Sequence, residues 1–64
     1  MVPGDQVVFA RLDVAEALGI WRHATGEVIG IHEAADGLLA LDVQFDGHEL
    51  LRGYVSALFQ RVAL

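Results

Sequence analysis

The sequence predicts an all-β domain, a small barrel of about five antiparallel strands, and three observations carry that prediction. Between Leu38 and Phe45 the side chains alternate: Leu39, Leu41, Val43 and Phe45 fall on one side, Ala40, Asp42 and Gln44 on the other. A period of two with one dry and one wet face is the mark of a half-buried strand. Asp46-Gly47 follows at once, a dipeptide suited to the positive φ angles of a tight hairpin turn, and a further apolar run starts at Leu50. Finally, Gly26 and Gly30 interrupt a β-rich run, which implies a bulge, a sharp bend or a close backbone approach. A very small barrel needs strands that bend strongly.

Each element follows from local chemistry. Pro3-Gly4-Asp5 is a turn that launches a β-branched and aromatic strand over residues 6–11, with Val7 and Phe9 facing inward and Val8 and Ala10 outward. Residues 13–19 fit either a short helix or a long loop across the barrel mouth. In the helical reading Asp13 is the N-cap, Glu16 stands three residues on, and Gly19 is the stop. Thr25 to Glu33 is the second strand, 34–37 a loop, Leu38 to Phe45 the third strand, and His48 to Tyr54 the fourth. The spacing over residues 54–59 fits one tight 3-10 turn capped by Ser56, and residues 60–64 are long enough for a last strand.

Sixty-four residues make a single domain, 1–64, with no repeat or linker. A chain of this size buries only about 60% of the surface its unfolded form exposes, and it has no cysteine to staple it. Yet 55% of its residues are hydrophobic, so either the core is dense or part of the apolar set forms a subunit interface. Small size favours the second, and a homo-oligomer is expected. The net charge of −5 and the scattered positions of Arg11, Arg22, Arg52 and Arg61 disfavour nucleic acid, whose affinity comes from clustered cations. The same acidic balance argues against anionic membranes. No basic, apolar leader precedes the turn at 3–5, and no apolar run approaches about 18 residues. A cytoplasmic setting is expected, and the lack of Lys and Asn beside abundant Ala, Gly, Leu and Val suits a GC-rich bacterial source.

The order of elements resembles the SH3-like barrel superfamily. The residues that carry the likeness are Gly4-Asp5-Gln6-Val7, Gly26-Glu27-Val28, Leu41-Asp42-Val43-Gln44-Phe45, and Val55-Ser56-Ala57-Leu58 followed by Arg61-Val62. The resemblance implies about five short strands, a long first loop and a 3-10 turn before the last strand. Within it, the type II dihydrofolate reductases look similar at the opening, the second strand and Val55-Ser56-Ala57-Leu58. They place a Val-Gln-Ile-Tyr run where this chain has Leu50-Leu51-Arg52-Gly53-Tyr54, so no catalytic residue carries over. The small barrel subunits of photosystem I and of ferredoxin–thioredoxin reductase share the plan of an apolar first strand, a Trp-bearing loop and Gly-x-Val. They are accessory docking proteins. Uncharacterised bacterial one-domain barrels match equally well.

No catalytic, cofactor or metal site is expected. Zinc needs three or four ligands converging at about 2 Å, and His23, His32 and His48 are far apart with no His-x-x-x-His or Glu-x-x-His pair. Asp42, Asp46 and Glu49 surround a hairpin, where carboxylates usually mark a wet face, and the Ser and Thr hydroxyls are limited to Ser56 and Thr25. Trp21-Arg22-His23 is the best partner-binding candidate, because Trp and Arg are favoured interface anchors; the competing role for Trp21 is a plug for the barrel end. Arg52 and Tyr54 form a second candidate patch. Val8, Ile29 and Leu51 exceed what strict alternation places inside: together on the outside they would form an oligomer interface, whereas a bend at Gly30 would turn some of them inward. The expected function is therefore a non-catalytic binding or assembly module. The alternatives are a small enzyme with its site between subunits, or an accessory subunit of a larger complex.

Overall fold

The computed structural model describes residues 1–62, and its elements follow the predicted order. Strand β1 is Gln6–Phe9, helix α1 Leu12–Ala17, β2 Gly26–Glu33, β3 Leu39–Phe45, β4 Leu51–Val55 and β5 Phe59–Arg61. Short 3-10 turns at Ala35–Gly37 and Ser56–Leu58 precede β3 and β5. All pairings are antiparallel, in the order β4-β3-β2-β1-β5. The protein is thus a small all-β fold with one short helix in its first long connection. One element of the expectation is corrected: the sheet is not a closed barrel. β4 and β5 are its margins, because neither pairs with the other among the described residues.

The sheet nevertheless curls tightly around its core. Val7, Phe9, Val28, Leu41, Val43, Phe45, Leu51 and Phe59 are buried in one cluster with Ala15 and Ile20 of the first connection. Phe9 and Phe59 face each other in register across β1 and β5, with ring centroids 4.7 Å apart. Phe45 lies two strands away from β1, yet its ring stacks on Phe9 at 5.3 Å. Two strand spacings in a flat sheet are roughly 9.6 Å, so the strands must wrap to bring these rings together. The alternation read from residues 38–45 holds from Leu41 to Phe45 and fails at its start. Leu39 is exposed and Ala40 buried.

Two bulges produce the bending. In β2, Val28 pairs with Val43 and Gly30 with Asp42, leaving Ile29 as an extra residue. In β4, Leu51 pairs with Val43 and Tyr54 with Leu41, so Arg52 and Gly53 together oppose Asp42. Gly53 takes a φ of 71° there, a left-handed conformation that glycine adopts freely. Both bulges therefore open on the same residue of β3, Asp42. Gly26 serves differently: a Cβ at that position would lie 2.7 Å from Val43 Cγ1 and 2.9 Å from the Phe45 ring. The Val43 and Phe45 side chains of β3 fill the space that a side chain at 26 would need.

Helix α1 stops at Gly19, as its sequence predicts. Gly19 has a φ of 75°, its N–H donates to Glu16 O at 3.0 Å, and the Ile20 N–H donates to Ala15 O at 2.9 Å. These two bonds form a Schellman motif; Ile20 and Ala15 join the same buried cluster. The start differs from expectation. Arg11 occupies the N-cap with no side-chain cap, and Asp13 instead receives two hydrogen bonds from the Arg11 guanidinium, at 3.1 and 2.8 Å. Ser56 likewise begins its 3-10 turn without capping it, the N-cap being Val55. The Asp46-Gly47 turn closes through the His48 N–H on Phe45 O at 3.1 Å, with positive φ at Gly47 alone. Glu49 and Leu50 still intervene before β4 opens at Leu51, so β4 starts later than the sequence suggests. Part of the predicted last strand, residues 63–64, lies outside the described residues.

Candidate functional site: the arm between helix and second strand

Residues 18–25 link α1 to β2, and 18–24 form an arm fixed at both ends. Ile20 is buried just after the Schellman motif, and Ala24 packs on the core. Between them the Ala24 N–H donates to Trp21 O at 2.8 Å, which makes residues 21–24 a tight turn with Arg22 and His23 at its centre. Trp21 is 69% exposed, the highest value for any large apolar residue described. The His23 ring meets it edge-on, centroids 5.0 Å apart. The barrel-plug role for Trp21 is thereby corrected: Ile20, its neighbour, takes the inward position. Arg22 is exposed and makes no ion pair among the described residues.

The far side of the arm is anchored by His48. Its Nε2 lies 3.0 Å from Leu18 O and its Nδ1 3.0 Å from Glu49 O. Two carbonyl oxygens accept and cannot donate, so the hydrogen bond to Glu49, then that to Leu18, hold the imidazole above its ordinary pKa. Gln44 fixes the same loop from below, its Nε2 donating to Phe45 O at 2.9 Å and His48 O at 2.6 Å. Beside the arm, at the start of β2, Gln6, Thr25, Gly26, Glu27, Gln44 and Asp46 surround a shallow, open depression on the outer face of the sheet.

A second polar cluster occupies the middle of that face. Asp42 Oδ2 lies 2.7 Å from His32 Nε2, and Asp42 Oδ1 accepts from the Gly53 N–H at 2.9 Å. The His32 hydrogen bond, then the Gly53 one, hold the Asp42 carboxyl below the usual range, and the Arg52 guanidinium adds to the effect from a distance. The absence of a side chain at Gly30 leaves room for the pair, since a Cβ there would sit 3.1 Å from Asp42 Oδ2. Sequence reasoning missed this contact. His32 and Asp42 stand ten residues apart, and only the β2 bulge turns both to one face.

The other predicted site residues are dispersed. Arg52 is exposed and Tyr54 half-buried on marginal strand β4, in a different element from Trp21 and Arg22. Leu51 is 5% exposed and belongs to the core rather than the outer face. This corrects its place in an apolar outer patch; the turn before β4 sets its parity. Val8 is half-buried on β1 and Ile29 is the exposed bulge residue of β2. Val28 exchanges both backbone hydrogen bonds with the 4–5 segment, which puts Ile29 roughly 13 Å further along the sheet than Val8 at about 3.3 Å per residue. Among the described residues no group of three His, Cys, Asp or Glu side chains is placed to hold a metal, and no helix is long and apolar enough to cross a membrane. No family model, curated protein or solved structure matches this chain.

Proposed function

We propose that this chain is a non-catalytic binding module that assembles with further copies of itself, with Trp21 as the anchor and the acidic sheet face of a second copy as its seat. The observation that carries the reading is the exposure of Trp21 on an arm secured at Ile20 and Ala24. A large aromatic held rigidly in water loses little side-chain entropy on docking, which is why tryptophans dominate interface energetics. Charge complementarity supports the occupant. Arg22 is a cation beside Trp21 without an ion pair among the described residues, whereas the chain as a whole carries −5 and presents Glu27 and Asp46 around its outer depression. Because Thr25 and Gly26 of that depression directly follow the arm in sequence, two copies related by a two-fold axis would each offer tip and seat side by side. A cytoplasmic setting belongs to the same proposal.

Sedimentation velocity from about 1 to 100 µM tests it. The wild type is expected to associate, and Trp21→Ala to weaken association by at least about tenfold, the effect of an anchor worth over 1.4 kcal/mol. Arg22→Glu should weaken it further at low salt than at high salt. A wild type that stays monomeric across the range refutes self-assembly, and leaves Trp21 to a different protein partner.

A further inference from the structure

We infer that His48 is a proton-dependent latch that fastens the Trp21 arm to the loop between β3 and β4. One imidazole nitrogen faces Leu18 O at the end of α1, and the other faces Glu49 O in its own loop, both at 3.0 Å. A neutral ring carries one N–H, so in either tautomer one of these carbonyls meets a lone pair instead of a proton. Only the imidazolium satisfies both contacts at once. The Leu18 bond spans 30 residues of sequence and is the direct side-chain tie between the root of the arm and the far hairpin. Leu18 is the C-cap residue of α1, immediately before the Gly19-Ile20 stop. Release there frees the carbonyl from which the chain swings toward Trp21.

The groups around the ring favour the charged form. Glu49 adds a carboxylate from the same loop, α1 presents the uncharged Leu18 carbonyl, and Gln44 touches the His48 backbone rather than the ring. Because the folded-state pKa is raised above the unfolded value, both contacts are held together below about 6.5, the ordinary imidazole value; as pH rises through the folded value the ring keeps one N–H, and the latch opens to the extent that this proton sits on Nδ1, facing Glu49 O, rather than on Nε2, facing Leu18 O. Its consequence for docking rests on the reading of Trp21 given above: a loosened arm no longer presents a pre-ordered anchor.

Amide hydrogen exchange and ring NMR on the whole chain test the latch without any partner. At about pH 5.5 both ring nitrogens of His48 should be protonated. Near pH 8 the amides of residues 18–24 should exchange roughly fivefold faster, after correction for intrinsic rates, than at low pH, the factor one ordinary hydrogen bond represents. His48→Gln should abolish that pH dependence. If His48 titrates with no change in arm exchange, or if the change persists in His48→Gln, the latch is wrong. Should the variant fail to fold, the wild-type ring titration and exchange decide alone. Sedimentation at the two pH values separates the two proposals: a monomer at both pH values whose arm still loosens with His48 upholds the latch and refutes self-assembly.

Discussion

A methyl group at position 26 has no room. It would sit 2.7 Å from Val43 Cγ1 and 2.9 Å from the Phe45 ring, and both neighbours are fully buried core residues unable to retreat. Overpacking of this kind costs about 1–3 kcal/mol. Gly26→Ala is therefore expected to lower the unfolding free energy by that amount, read as a lower urea midpoint with an unchanged slope, and a variant of wild-type stability would show that β2 shifts freely. The need for close approach was legible, since a glycine inside a β-branched strand marks a bend or a place where another backbone comes near. The inward set Val7, Phe9, Val43 and Phe45 was legible too, because parity within one strand needs no knowledge of its neighbours. His48 was not: its acceptor on Leu18 lies 30 residues away, and no spacing rule links a hairpin turn to a helix end.

At the scale of elements, the bulges of β2 and β4 converge on Asp42, whose carboxylate ties His32 of one strand to Gly53 of the other. The pKa of Asp42 is depressed by the His32 hydrogen bond first and the Gly53 N–H second. Its stabilising contribution is thus complete above the unfolded carboxylate value of about 3.9, and is lost as pH falls through the lower folded value. Asp42→Asn should be less stable than wild type above about pH 5, the gap closing as the solution is acidified toward about pH 2. Urea titrations across that range check it; a gap independent of pH would mean that the ionised form plays no part. In the sequence Asp42 reads as one more wet-face residue, because its role depends on two register shifts at once. The first was hinted at by Gly30. The second, at Gly53, had no signal beyond a lone glycine, and the late start of β4 that goes with it carried Leu51 into the core.

For the whole molecule, five antiparallel strands and a 3-10 turn before the last strand could be read from turn residues and alternation, whereas the helix in the first connection was one of two readings its residues left open. Closure could not, since it depends on whether two margins far apart in sequence meet in space. With the sheet open, 55% hydrophobic content does not vanish into the core, and Trp21, Leu38, Leu39, Ile29 and Val55 remain on the surface. The outer patch of Val8, Ile29 and Leu51 does not form, because Leu51 is buried in the core. The arm is where the most exposed large apolar side chain, Trp21, stands beside a cation, Arg22, with no ion pair among the described residues.

The kink at Gly53 has one more effect. A straight, unpaired ribbon edge recruits others of its kind and grows into fibrils, and β4 would be such an edge but for its extra residue. Deleting Gly53 restores one-to-one alignment of β4 with β3, and the shortened protein should form thioflavin-positive aggregates at concentrations where the parent stays clear. A single surplus glycine is thereby expected to guard this edge against fibril growth.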